Sequence, residues 1–187
     1  MVRYAFFDLD YTLTRRDTGQ LFLLHCARHR PLILLRLVAG VVLIPLWKLR
    51  LLSLRTLKQF FFGFLKGRTE AGVPELARAF TERLFRNNIF KEEGLRELAR
   101  LRDGGWVPVL ASASPELYVR EIAARLGITL FAATRYEVRE GRYTGRMEGA
   151  DCRGADKVPR IAALVDLGHY DRAGSVAYSD SRADLPL

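Results

Sequence analysis

From Thr18 to Thr69 the chain contains no aspartate and no glutamate. The same stretch holds nine basic residues: Arg28, Arg30, Arg36, Lys48, Arg50, Arg55, Lys58, Lys66 and Arg68. The whole chain has 30 lysines and arginines against 21 acids, so the 21 basic residues elsewhere balance the acids and the net charge of +9 resides in this segment. Its aromatics, Trp47 and Phe60 to Phe62, are clustered among Leu and Val rather than interleaved with the charges as base-stacking platforms are. That pattern speaks against nucleic acid and for an anionic membrane surface or lipid. Cysteine is also scarce. Cys26 and Cys152 lie far apart in the sequence, which excludes a disulfide framework or a thiolate metal site and makes a reducing cytoplasm the expected compartment. No secretory leader is expected at the start of this sequence, because Met1 to Phe7 is short and runs straight into Asp8 and Asp10. Long apolar runs are missing too. The longest charge-free one in the basic segment, Leu37 to Trp47, is 11 residues, against the about 20 needed to span a bilayer. His25, His29 and His169 show no pairing that suggests catalysis.

What is present is a globular composition, 49% hydrophobic and 27% charged over 187 residues, enough for one domain with an insertion. Val2 to Phe7 reads as a buried strand. A helical region follows from Thr18, punctuated by Pro31 and Pro45, and Ser53 N-caps a helix through Phe64. Thr69 to Asn87 reads as an amphipathic helix. Further helices are expected over Glu93–Arg102, from Pro115 to Gly127 and over Lys157–Leu167. Val107–Ala111 and Ser175–Tyr178 read as strands, and Arg135–Arg146 as a hairpin turning at Glu140-Gly141. Alternating strands and helices imply an α/β fold, a doubly wound and mostly parallel sheet. Residues 1–17 and 88–187 form the expected core, and 18–87 a helical cap inserted after the first strand. Within the cap, Leu32 to Ile44 is apolar at every position but Arg36, so its apolar surface wraps the helix. It reads as an interfacial membrane segment, a buried cap core or an oligomer interface.

Polar residues follow each strand, where ligands bind in such sheets. Asp8 and Asp10 close the first strand. Two carboxylates there are costly unless a cation and a phosphoryl group use their charge, with one carboxylate attacking phosphorus and the other moving protons. Ser112 and Ser114 follow the second strand, Ser112 the better placed to bind a phosphate oxygen. Asp180 and Asp184 follow the last and suit a hard cation such as Mg²⁺. Lys157 opens a helix where its ammonium could neutralise the phosphoryl group.

The order Asp-x-Asp-x-Thr, Ser, Lys, Asp-Ser-x-x-x-Asp resembles the haloacid dehalogenase superfamily of phosphatases, and within it the phosphoserine-phosphatase-like subfamily (IB) with a small helical cap. The resemblance is carried by FFDLDYTLT (6–14), LASASPELYV (110–119), EGRYTG (140–145) and YSDSRADLPL (178–187). It implies a magnesium-dependent phosphomonoester hydrolase acting through an aspartyl-phosphate on Asp8, with Asp10 as acid and then base. It assigns the metal to Asp8, Asp180 and the Asp10 carbonyl, and the phosphate to Thr12, Ser112 and Lys157, with Asp184 as a supporting acid. Asp17 stands where phosphoserine phosphatases carry a substrate-reading glutamate. YSDS is similar to relatives acting on histidinol phosphate and on phosphatidylglycerophosphate, and the apolar, basic cap favours the phosphatidylglycerophosphatase C group. The other readings are an enzyme of a soluble phosphometabolite and a non-catalytic lipid-binding module. Family members continue past the last motif with another helix and strand, so the chain reads as a shortened member.

Overall fold

The computed structural model describes residues 1–184, apart from the side chains of His29, Pro31 and Ala183. Residues 185–187, the end of the YSDSRADLPL motif, lie outside the described residues. The core is a five-stranded sheet in the order β4-β3-β2-β1-β5, with β1 Tyr4–Phe7, β2 Val107–Pro115, β3 Leu130–Arg139, β4 Arg142–Glu148 and β5 Val176–Tyr178. All neighbours are parallel except the β3–β4 hairpin. That hairpin turns at Glu140 and Gly141, both at positive φ (49° and 69°), the geometry a two-residue turn between twisted strands requires.

Because side chains alternate across a strand, the sheet buries two different faces. On one, Ala5, Phe7 and Leu110 pack with Phe22, Phe80, Tyr118 and Ile122. On the other, Tyr4, Phe6, Val109 and Ala111 pack with Cys152, Ile161 and Val165. Helices thus cover both faces, as expected for a doubly wound sheet. They are α1 Thr18–His29, α2 Pro31–Lys48, α3 Leu54–Phe62, α4 Val73–Arg86, α5 Glu92–Asp103, α6 Glu116–Arg125 and α7 Lys157–Ala162. The Asp17 carboxylate caps α1 by accepting from the Gln20 amide (2.8 Å), and Ser53 caps α3 by accepting from the Thr56 amide (3.0 Å).

Several boundaries differ from the sequence expectations, each for a local reason. α4 starts at Val73 because the chain before it pairs with the hairpin: the amides of Gly67 and Glu70 donate to the carbonyls of Tyr143 (2.8 Å) and Gly141 (2.9 Å). α3 ends at Phe62 in one tighter turn, Gly63–Leu65. α7 stops at Ala162 instead of reaching Leu167, where the Asp166 carboxylate accepts from the Gly168 amide (3.0 Å) and draws the chain into a turn. Pro45 does not end α2, which runs over it to Lys48 because the missing amide falls on the exposed side near the helix end. β2 extends past Ala111 to Pro115 through an irregular register, and Leu130–Thr134 is a parallel strand that the sequence pattern did not reveal.

The helices over residues 18–86 share the sheet's own core. Phe22 on α1 is the hub, with ring centroids 4.9 Å from Tyr118, 5.0 Å from Phe80 and 6.4 Å from Phe62. α2 lies outside this cluster against α3. A Cβ on Gly40 would come within 2.1 Å of the Phe61 ring, so a glycine is what lets the two helices meet. α2 turns Ile33, Leu37 and Gly40 inward, while Leu34, Leu35, Val38, Val41 and Val42 face out at 54–69% exposure. Among the described residues no helix is long and apolar enough to cross a membrane.

Candidate active site

Parallel register gathers the chemistry at one edge. Phe7 pairs with Leu110 on β2 and with Tyr178 on β5, so Asp8 and Ser179 emerge side by side where β1 and β5 end, and Ser112 lies two residues beyond Leu110 on the neighbouring strand. The Asp8 amide donates to the Tyr178 carbonyl (2.9 Å), and the Asp180 amide donates to Thr12 Oγ1 (3.0 Å), tying the two strand ends together. Between Asp8 and Thr14 the chain makes a wide turn with Tyr11 at φ +60°, closed by the Thr14 amide and hydroxyl on the Leu9 carbonyl (both 3.0 Å).

Lys157 is the electrostatic centre. Its ammonium, 2% exposed, donates to Asp8 Oδ1 (2.8 Å) and to Asp184 Oδ2 (2.6 Å). Asp184 is itself buried, and accepts from Ser179 Oγ (2.8 Å) and the Gly154 amide (3.1 Å). Burial raises the Asp8 carboxyl above the ordinary range, and Lys157 opposes that rise. Burial works to lower Lys157, but Asp8 and Asp184 outweigh it and hold the ammonium charged. A buried lysine between two carboxylates leaves a net negative charge for an added cation to balance.

Asp10 is held differently. Its Oδ1 accepts from the Thr18 amide (2.7 Å) and Thr18 Oγ1 (2.6 Å), and its Oδ2 from Ser114 Oγ (2.7 Å). Burial, then the nearby charge of Asp17, pushes its carboxyl up to about 6, against the pull of those donors. Two aspartates one residue apart therefore have distinct environments, one paired with a cation and one gripped by neutral donors near physiological titration. The sequence reading did not include Thr18, and it ranked Ser114 below Ser112. Ser112 is fully buried, with its Oγ accepting from the Ser114 amide (3.1 Å). The acid–base role expected of Asp10, a role worth about 10²–10⁴, predicts that Thr18→Val lowers kcat by about 10- to 100-fold and leaves the expected dependence on Mg²⁺ unchanged. Steady-state kinetics against metal concentration checks this.

A second missed contact ties α3 to the site. Lys58 Nζ pairs with Asp151 Oδ2 (2.7 Å) and donates to the Ala113 carbonyl (3.0 Å), between the two serines. Thr134 Oγ1 lies within hydrogen-bond distance of the same two residues, 2.9 Å from Ala113 O and 2.7 Å from Asp151 Oδ1, and its one proton serves either of them. Asp17, the expected substrate reader, lies beside Asp10 while capping α1.

For a metal, no three His, Cys, Asp or Glu side chains cluster closely enough among the described residues. The expected set is smaller, two carboxylates and a main-chain carbonyl, all oxygen. It fits a hard cation by its chemistry: Lys157 occupies Asp8 Oδ1, and the Asp180 carboxylate is exposed and makes no ion pair among the described residues.

A doubly wound sheet that collects two aspartates, a lysine and serines at its carboxyl edge is the arrangement of a phosphate-handling hydrolase. The chain belongs to the haloacid dehalogenase-like hydrolases, whose family model matches residues 5–187. It is 32% identical over 184 residues to Protein CicA of Caulobacter vibrioides, covering 97% of this chain and 79% of that one. It is 30% identical over 126 residues to phosphoserine phosphatase SerB1 of Mycobacterium tuberculosis, covering 67% and 40% of the two chains. Among solved structures, a Bordetella pertussis Tohama I protein of unknown function superposes with TM-score 0.81 at 27% identity, covering 100% and 85%. A phosphoserine phosphatase in its apo form superposes with TM-score 0.62 at 19% identity, covering 99% and 80%, which supports the shared fold.

Proposed function

We propose that the protein is a magnesium-dependent phosphomonoester hydrolase that works through an aspartyl-phosphate on Asp8. The observation that carries this reading is the Asp8–Lys157–Asp184 triad beside a separately held Asp10. A carboxylate oxygen of Asp8 attacks phosphorus as the ester oxygen leaves, and Asp10 gives that oxygen its proton. Asp10, now a carboxylate, takes a proton from water as the water oxygen attacks the phosphoryl group, releasing phosphate and restoring Asp8. Lys157 neutralises charge on Asp8 and the phosphoryl oxygens, with Ser112 and Thr12 as further donors. Asp8, Asp180 and the Asp10 carbonyl would hold magnesium, which supplies charge neutralisation at the phosphoryl group. Residues 18–87 act as the cap. Chelation should reduce turnover of p-nitrophenyl phosphate to background, with magnesium restoring it. Outer-shell losses alone cost about 10- to 100-fold in metal affinity, so Asp180→Ala should raise the magnesium requirement by at least that. Full turnover in chelator would overturn the assignment.

The outward face of α2 favours a phospholipid phosphate, such as phosphatidylglycerophosphate, over a soluble ester such as histidinol phosphate or phosphoserine. Val38, Val41 and Val42 lie on that face at 63–69% exposure, in a segment with nine cations and no acid. Inserted apolar groups contribute about 0.8 kcal/mol per CH₂ and each surface cation about 1 kcal/mol, so together they hold the chain reversibly on an anionic bilayer, at the cytoplasmic face of the cell membrane. In flotation, binding should rise with phosphatidylglycerol content. Val38→Asp/Val42→Asp should abolish it without changing p-nitrophenyl phosphate turnover. Indifference to vesicle charge, with rapid turnover of a soluble phosphate, favours the soluble-ester reading.

A further inference from the structure

At the start of α2 a cavity of about 480 Å³ is lined by Arg30, Phe64, Lys66, Gly67, Arg68, Thr69 and Gly72, none of them a residue of the catalytic site. Three cations converge there, and among the described residues none has a carboxylate partner. Arg68 packs its guanidinium 5.7 Å from the Phe64 ring centroid, and its Nε is buried with no hydrogen-bond partner. A buried donor left unmatched costs free energy, and two arginines side by side repel each other. An anion between the two guanidinium groups removes the repulsion, and a small turn of the Arg68 side chain would bring Nε to it as well. Glu70, the first acid after this segment, lines a different cavity. We propose that Arg30, Lys66 and Arg68 form a second anion site for a phosphate group, distinct from the catalytic one. Guanidinium forks match phosphate oxygens in pairs, and the ammonium of Lys66 adds a point charge at the rim. Burial, and then Arg30, lower the Arg68 pKa, consistent with a cation waiting for a counter-charge. At Gly67, φ +80°, an added Cβ would meet nothing within 4 Å, so the cavity is open on that side.

Such a phosphate comes either from a lipid headgroup, delivered as α2 lies on a bilayer, or from the free ion in solution. Equilibrium dialysis with inorganic phosphate and flotation on phosphatidic acid vesicles separate the two sources. The variants are Arg30→Gln/Arg68→Gln and, as a control matched in charge, Lys48→Gln/Arg50→Gln. The exposed single variant Lys66→Gln tests the site without disturbing packing. If free phosphate is the ligand, the wild type and the control each bind one phosphate per chain more than Arg30→Gln/Arg68→Gln does. If a headgroup is the ligand, Arg30→Gln/Arg68→Gln weakens vesicle binding about tenfold beyond the control, and Lys66→Gln weakens it by a smaller factor. In either case p-nitrophenyl phosphate turnover is unchanged, and so the outcome does not depend on the catalytic assignment. The same number of phosphates bound per chain in the wild type and every variant, together with equal vesicle binding by both double variants, overturns the site.

Discussion

Asp8→Asn should abolish turnover, by about 10⁴-fold or more, while the protein stays folded. The amide keeps the carboxylate's shape at the end of β1 but offers no nucleophilic oxygen. The fold tolerates the change for an electrostatic reason. Burial already disfavours the ionised form of Asp8, so a neutral side chain costs little there, and Lys157 retains Asp184 at 2.6 Å. Thermal unfolding should therefore shift far less than the rate. Acid-quenched wild type should carry labelled phosphate from a radioactive ester and the variant none. Labelling of the variant, or residual activity above a hundredth of wild type, would move the nucleophile elsewhere.

The place of Asp8 at the carboxyl end of β1 was legible from sequence because strand ends are. Apolar runs such as YAFF and SVAY stop abruptly at polar residues, and parallel topology places those stops on one edge. The hairpin at Glu140-Gly141 was legible for the same local reason. The grip on Asp10 was not. Thr18 is eight residues away, Ser114 is 104, and only the packing of α1 through Phe22 against Tyr118 brings them together. Asp184 was expected as a supporting acid, but its pairing with Lys157, 27 residues earlier and also buried, was hidden in the same way. β3 escaped notice because LFAAT is short, with two alanines that carry little strand preference. For α2, the sequence showed an apolar surface all round the helix. Which side α3 covers depends on the close approach at Gly40, a tertiary fact.

Lys157→Met should cost the fold more than any substitution on the surface. A lysine on an exposed helix is worth within about 0.5 kcal/mol. Here the ammonium is 2% exposed and stands between Asp8 and Asp184, whose side chains are 11% and 3% exposed. Methionine fills the volume of the methylene stem but leaves two buried carboxylates facing each other without a cation. Breaking a buried pair from one side costs about 3–5 kcal/mol, which for a chain of this size lowers the melting temperature by about 6–20 °C. Measured in chelator, so that no metal substitutes for the ammonium, the loss should appear in calorimetry or denaturant unfolding. Adding Asp184→Leu should recover part of the stability, since the second substitution removes one of the stranded charges, though it also strands the Ser179 hydroxyl and the Gly154 amide. It should recover none of the activity, because the phosphoryl group still lacks its cation. A Lys157→Met protein as stable as wild type would mean that the two carboxylates do not depend on this lysine. A double variant that regained turnover would place the phosphate's cation elsewhere.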